Sequence, residues 1–425
     1  MAAIKEQIQK LLKTKLIKDS FWSLFGNVAH KGLAIVAGIF IARILGKDVF
    51  GEYSIIKSTI TAAALFSNFG LMYTSTKFIS EYNKKNKEDL KLIVKYTHQI
   101  VLLFSSIVAV LICLNAAYVA EVILESETFT KPLQIFGALI IVNSLVSLQV
   151  GTLAGLGKFK EMSKINAIVG VLTFVLSTVF VYFYGFYGAL WALLTVQVVN
   201  LLLSFRLTKA SLPQDIVYNT KSPELRKKII KFSFPIAIQE AVYSVFSWTI
   251  VYLILNVSSS GEVGLYRASL QLNAMILFIP GILRNVVLSH LSSADDGDHG
   301  KIMNTILKIN FVATFIPALI LFLGSNYIAQ LYGETFSDLG GLIQISVFIT
   351  IFVSISNVYA QAYMSKGMNW TMLAFRLVRD LGTISVFLLL VNEFQSAAKT
   401  MIYSQLTLSF IFMLIMIFYY KYKKN

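Results

Sequence analysis

The chemistry open to this chain rests on a few ionisable and amide side chains set inside long apolar runs. The run from Phe21 to Arg43 carries Asn27, His30 and Lys31 near its middle. Asn27 and Lys31, four residues apart, share one face of a helix. A lysine at the centre of a bilayer costs roughly 3 kcal/mol or more where it meets lipid, so that face calls for a polar cavity. The run 54–79 adds Lys57, with Thr61, Ala64 and Asn68 at helical spacing on the same stripe. The run 232–256 adds Glu240, followed by Ser244 and Ser247, and the run 267–290 adds Asn273 and, just after Pro280, Arg284. In the run 369–391, Arg376 and Asp380 are spaced to pair with each other beside Arg379. Lys77 and Lys308 lie near span ends, where their stems reach the headgroups.

Within the spans, Lys31, Lys57, Lys77, Arg284, Lys308, Arg376 and Arg379 outnumber the acids Glu240 and Asp380. A low-dielectric cavity with that surplus concentrates anions. A phosphate or diphosphate headgroup fits it better than a cationic drug. The candidate binding residues are Asn27, His30, Lys31, Lys57, Asn273 and Arg284, with Glu240 as the candidate ion-coupling carboxylate. Enzyme motifs are missing from the sequence: there is no P-loop, no H-E-x-x-H, no G-x-S-x-G and no C-x-x-C. No catalytic residue, cofactor or metal is expected, and the cluster Asp295 to His299 reads as a solvated turn. The single cysteine, Cys113, sits in an apolar run as a packing residue.

The elements that must position these groups are transmembrane helices. The chain has 425 residues, 56% of them hydrophobic and only 14% charged, against about 25% charged in soluble proteins. Its apolar runs approach the ~20 residues that cross a bilayer as a helix, without the strand alternation of an outer-membrane barrel. About twelve spans follow: 20–43, 54–79, 92–115, 132–156, 162–184, 186–207, 232–256, 267–290, 303–324, 338–363, 369–391 and 397–419. With the N-terminus inside, 25 lysines and arginines fall in inner segments and 5 in outer loops, namely Arg43, Lys47, Lys131, Arg267 and Lys399. That asymmetry sets both termini in the cytoplasm. It also accounts for much of the net charge of +15, so no nucleic-acid partner is required.

The expected organisation is an amphipathic cytoplasmic lead (1–19), a six-helix bundle (20–207), a polar linker (208–231) holding Pro213 and Pro223, a second six-helix bundle (232–419) and a basic tail (420–425). The lead sets Ile4, Ile8, Leu11 and Leu12 on one face, suited to an anionic leaflet, and no cleavable signal is expected. The halves echo each other. Gly51-Glu52-Tyr53 follows the first span and Gly264-Leu265-Tyr266 the seventh; Ala154 to Lys158 follows the fourth and Ala362 to Lys366 the tenth. A parallel repeat of this kind places substrate between the halves.

Ala42-Arg43-Ile44-Leu45-Gly46, Phe50-Gly51-Glu52-Tyr53-Ser54, Ala154-Gly155-Leu156-Gly157-Lys158-Phe159-Lys160, Val263-Gly264-Leu265-Tyr266-Arg267 and Tyr332-Gly333-Glu334-Thr335-Phe336 resemble the polysaccharide-transport branch of the multidrug/oligosaccharidyl-lipid/polysaccharide exporter superfamily. Within it, the Wzx-type oligosaccharide flippases are most similar, over nearly the whole chain. The resemblance implies an all-α, V-shaped, alternating-access transporter of two six-helix bundles in the bacterial inner membrane. It implies a cargo of undecaprenyl-diphosphate-linked O-antigen or capsule repeat units, moved from the cytoplasmic to the outer leaflet, and contact with membrane lipids and polysaccharide polymerase machinery.

Relatives that flip peptidoglycan precursor use basic residues in spans 1, 2 and 8, the helices of Lys31, Lys57 and Arg284. Lysine stands for arginine at two of these, which keeps charge and loses bidentate geometry, and the two further C-terminal spans of those relatives are missing. The drug/cation antiporter branch often uses a carboxylate in span 7, where Glu240 lies; it is the alternative function. Proton or sodium coupling through Glu240 or His30, and downhill flipping, are both open. A membrane polymerase is disfavoured because all the outer loops are short.

Overall fold

The computed structural model describes residues 15–85, 89–213, 222–278, 280–281, 296–365 and 368–424. The lead up to residue 14, and Arg284, lie outside them. The described elements are all helical: α1 (Lys15–Ser67), α2 (Leu71–Lys85), α3 (Leu90–Leu114), α4 (Thr130–Phe136), α5 (Ala138–Gly155), α6 (Phe159–Ser211), α7 (Pro223–Val257), α8 (Ser260–Ile276), α9 (Asp296–Leu323), α10 (Ser325–Tyr332), α11 (Leu339–Ser365), α12 (Asn369–Leu390) and α13 (Ala397–Lys424). Among the described residues, seven helices are long and apolar enough to cross a membrane.

Two helices are far longer than a bilayer needs. α1 and α6 each run 53 residues, which would extend about 80 Å if straight. Each is broken at one glycine, Gly46 (φ 73°, ψ 167°) and Gly185 (φ 54°, ψ −131°), in backbone regions that L-residues disfavour. At the second break the chain folds back. A Cβ on Gly188 would overlap the carbonyl of Phe180, whereas residues eight apart in a straight helix are about 12 Å apart. α6 therefore supplies two antiparallel limbs, divided where the expected spans 162–184 and 186–207 meet.

The expected span 54–79 is not continuous. α1 stops at Ser67 and α2 starts at Leu71, with Phe69 (φ 54°) and Gly70 (φ 66°) between them. Packing explains the break. The Phe69 ring stacks on Phe104 at 4.8 Å, and a Cβ on Gly70 would press on Ile236. Apolar surroundings offer no water for freed backbone groups. The Ala64 carbonyl accepts from Ser67 Oγ (3.1 Å), Ser144 Oγ (3.1 Å) and the Asn68 amide (3.0 Å).

The chain forms two compact units, one of residues 1–41 and 55–251, the other of 42–54 and 252–425. In the first, α7 is stitched to the second limb of α1 and to α2. Trp248 Nε1 donates to Thr59 Oγ1 (3.0 Å), Ser244 Oγ to the Ala62 carbonyl (2.8 Å), and Ser233 shares a hydroxyl bond with Thr74 (2.8 Å). Its foot, Leu225 and Ile229, is buried with Leu90, Ile93 and Tyr96. α2 meets α5 through Ser75–Thr152 (2.9 Å) and through Gly151, where a Cβ would overlap the Met72 carbonyl.

In the second unit, Asn273 ties α8 to α11, and Thr314 Oγ1 donates to Ser354 Oγ (2.9 Å) between α9 and α11. Tyr363 donates to the Met416 carbonyl (2.7 Å) from within a cluster of Phe375, Tyr419 and Tyr420 rings. Glu262 caps α13, accepting from Ser396 Oγ (2.6 Å) and the Ala398 amide (2.8 Å).

The repeat motifs meet in this second unit. A Cβ on Gly51 would overlap the Ser260 carbonyl and reach within 3.1 Å of the Gly264 nitrogen. A Cβ on Gly264 would overlap the Lys47 carbonyl and lie 3.2 Å from the Gly51 nitrogen. Each glycine presses on the residue four before its counterpart, a reciprocal crossing. A further echo, unremarked in the sequence, is Glu127-Thr128-Phe129 against Glu334-Thr335-Phe336. Both are 3-10 turns with the phenylalanine buried, one in each unit.

The reciprocity predicts matched effects. Gly51→Ala and Gly264→Ala should each destabilise by roughly 1–3 kcal/mol through overpacking. Gly341→Ala, whose Cβ would meet nothing within 4 Å, should be neutral or slightly stabilising. Thermal unfolding midpoints of the purified protein test this, and a large difference between the two damaging variants would contradict the reciprocal crossing.

Candidate functional site

Span 1 is the first limb of α1, and small residues fix its seat on α6. A Cβ on Gly26 would press on Ser163, one on Gly170 would stand 2.9 Å from His30 Cα, and Phe40 meets Phe174 edge-on at 5.7 Å. The contacts ascend both helices together, so the two limbs run parallel. Asn27 lies on this limb. His30 is half-buried, and its Nδ1 is buried with no hydrogen-bond partner among the described residues. Lys31, the next residue, is exposed.

Lys57 is exposed on the second limb of α1, one turn above Thr61, which is also exposed. Ala64 and Asn68 leave that stripe and are buried. Glu240 is half-buried on α7, within the same unit as His30, Lys31 and Lys57. Lys31, Lys57 and Glu240 are each engaged by a neighbouring group. Ser244, expected to follow Glu240 on an open face, is instead 3% exposed and bonded to the Ala62 carbonyl.

Asn273 belongs to the second unit and is 5% exposed. Its Nδ2 donates to the Ser346 carbonyl (3.1 Å) and its Oδ1 accepts from Ser346 Oγ (3.3 Å). Both ends of the amide are therefore used between helices. The structure thus groups His30, Lys31, Lys57 and Glu240 in one unit and sets Asn273 in the other.

One charge pairing differs from the expected one. Asp380 is held by its chain neighbour Arg379, with Nε at 2.8 Å and Nη2 at 2.6 Å from Oδ1, in place of the expected Arg376, which is exposed. The Arg379 guanidinium also lies 5.2 Å from the Phe412 ring centroid. Lys77 sits over Phe232 at 3.9 Å, and Lys228 lies 5.6 Å from Phe78 and 5.7 Å from Tyr82. Cation–π attraction engages both ammoniums within the first unit. Lys228 carried no signal in the sequence beyond its place in a basic linker. Among the described residues no cluster of His, Cys, Asp or Glu could hold a metal ion.

These features define a multi-pass helical membrane protein with intramembrane charges concentrated on a few helices. Its fold is shared with an inward-facing multidrug-resistance MATE-family transporter of the MOP superfamily, at TM-score 0.78 and 13% identity over 93% of this chain and 94% of that one. It is shared too with a MOP-superfamily transporter from Pyrococcus furiosus, described as having a binding pocket of reverse polarity that suggests a different function, at TM-score 0.71 and 12% identity over 96% and 95% of the two chains. An uncharacterised membrane protein of Methanocaldococcus jannaschii is 22% identical over 313 residues, 70% of this chain and 73% of its own length. Residues 16–288 match the polysaccharide biosynthesis protein family, and the chain belongs to that family.

The Arg379–Asp380 pair has side chains only 26% and 16% exposed. Removing one partner leaves a poorly solvated charge. Arg379→Gln should lower stability by roughly 1–3 kcal/mol, and adding Asp380→Asn should restore much of it. Unfolding midpoints of the single and double variants decide this: equal losses in both would mean the pair contributes nothing.

Proposed function

We propose that this protein is a flippase for polyprenyl-diphosphate-linked oligosaccharide repeat units, those of an O-antigen, capsule or exopolysaccharide. The observation that carries this reading is membership of the polysaccharide biosynthesis family over residues 16–288. The surplus of basic over acidic side chains inside the spans supports it, because the cargo presents an anionic diphosphate where it crosses. The polyprenyl tail stays in lipid while the sugar and diphosphate pass through a polar path. Lys31 and Lys57 attract the diphosphate, with Arg284 assisting, and Asn27 and His30 add polar contacts to sugar or phosphate. Both termini lie in the cytoplasm of a bacterial inner membrane, and transport runs outward by alternating access. Membrane lipids and the polymerase machinery that consumes the product are the partners, and no cofactor is required.

A second reading has one observation in its favour. The fold is that of multidrug transporters, and Glu240 offers a half-buried carboxylate for a coupling cation or cationic drug.

Surface-polysaccharide export in a host lacking its own flippase separates the readings. Each charge-assisted contact to phosphate contributes about 1.5–3 kcal/mol, so Lys31→Ala and Lys57→Ala should each cut export roughly 10–100-fold at equal protein level. Lys31→Arg should retain most of it. Unchanged export in both alanine variants rules out these lysines as phosphate contacts. Resistance to cationic dyes, abolished by Glu240→Gln, would establish the exporter reading instead.

A further inference from the structure

A buried polar chain crosses three helices of the first unit and has no part in the site above. His98 of α3 is half-buried, Gln149 of α5 is 0% exposed and Thr208 of α6 is 3% exposed. His98 Nδ1 lies 2.7 Å from the Val94 carbonyl. A carbonyl only accepts, so Nδ1 carries the proton and Nε2 is an acceptor. Gln149 Nε2 donates to His98 Nε2 at 2.9 Å, and Thr208 Oγ1 donates to Gln149 Oε1 at 2.5 Å. Each polar group in the chain has a partner, and the imidazole is neutral.

We propose that His98 is a reversible proton-binding site, with Gln149 as the two-position element that responds to it. A proton arriving at His98 Nε2 turns that nitrogen from acceptor to donor. The Gln149 amide then rotates by half a turn and presents Oε1 to the ring. Its Nε2 now points to Thr208, whose hydroxyl changes from donor to acceptor and turns its hydrogen to the carbonyl of Ser204, four residues earlier, as threonines in helices do. No polar group is orphaned in either state. One proton is taken up, no bond breaks, and the imidazolium is held between two oxygen acceptors, the Val94 carbonyl and Gln149 Oε1.

The surroundings leave this switch to the proton alone. His98 contacts Val94, Gln149 and the edge-on ring of Phe205, all neutral. On its own helix, Lys91 and Lys95 are exposed and the Tyr96 hydroxyl accepts from the Ser222 amide at 2.9 Å. On α2, Lys77 is directed to Phe232, Tyr82 packs with Phe78, and Glu81 has a partner of its own. Lys228 of α7 lies over Phe78 and Tyr82, and Arg206 and Lys209 of α6 are exposed.

The position gives the switch an output. Thr208 lies in the last turn of α6, and Ser222, directly before α7, donates its amide to the Tyr96 hydroxyl of α3. α3 thus holds both ends of the segment that leads from α6 into α7, one of them through the proton site. Coupling of this site to transport rests on the flippase reading; the proton site itself does not.

The experiment uses the full chain in nanodiscs with nitrogen-15 histidine, His98 being assigned by its loss in His98→Gln. The expected result is a neutral Nδ1–H tautomer near pH 8 that becomes doubly protonated as the pH is lowered through the acid range in which the protein stays folded, with Gln149 side-chain signals moving in step. Gln149→Glu, which offers a carboxylate, should raise the titration of His98 by about one pH unit or more, and it reports independently should His98→Gln fail to fold. A ring that stays neutral throughout, or the Nε2–H tautomer at high pH, overturns the proposal. In proteoliposomes holding a fluorescent polyprenyl-diphosphate sugar, His98→Gln should lose the pH dependence of flipping. An unchanged pH profile removes the coupling role, whereas wild-type protein that flips nothing at any pH removes the flippase reading and leaves the spectroscopic result to decide the proton site.

Discussion

The reciprocal crossing of Gly51 and Gly264 is the contact on which the architecture turns. Helices in lipid gain little from hydrophobic association, because the acyl chains are as apolar as their side chains. Close backbone approach is what remains, and it needs positions without a Cβ. Here each glycine faces the residue four before the other, Ser260 and Lys47. Equivalent turns of the two halves are thereby pressed together about a local two-fold relation. The segment 42–54, though encoded within the first half, becomes part of the second unit.

The first unit is assembled by the same rule with hydroxyls added. Ser67 with Ser144, Ser75 with Thr152 and Thr74 with Ser233 are buried pairs between helices. Each satisfies polar groups that lipid cannot, and each lets two backbones approach. Such contacts explain why α7, which follows the polar linker, packs with the helices before it. Its serines and Trp248 meet partners on α1 and α2, and its foot completes the buried cluster around Tyr96. Across the break at Phe69 and Gly70 the Asn68 carbonyl accepts the Leu71 backbone amide, and Ser67 and Ser144 add hydroxyl donors to the Ala64 carbonyl one turn earlier.

Much of this was legible in the sequence where the signal was one-dimensional. Apolar run length gave the helical membrane class, and the hairpin at Gly185 fell between two expected spans. The Gly-x-Tyr echo marked the two turns that meet. Other features carried no such signal. The interruption at Ser67-Asn68-Phe69-Gly70 has only short polar and glycine residues to mark it within a span otherwise read as one, and the stacking of Phe69 on Phe104 accompanies it. The choice of Arg379 over Arg376 as the partner of Asp380 follows from side-chain reach, which spacing alone does not convey. His98, Gln149 and Thr208 are each unremarkable in an apolar run, and the fold alone brings them together from three separate helices.

The placement of polar groups also narrows where cargo chemistry can reside. Asn273 is occupied by Ser346, Asp380 by Arg379, and Lys77 and Lys228 by aromatic faces. These contacts give each of them a structural role. Lys31 and Lys57 differ from them in being exposed inside expected spans of the first unit, where exposure to lipid would be costly. Each has a neighbouring partner, yet its exposed surface still has to meet water or an anion in place of lipid. That requirement, more than the overall positive charge of the chain, is the physical reason to look for a phosphate-bearing cargo along α1.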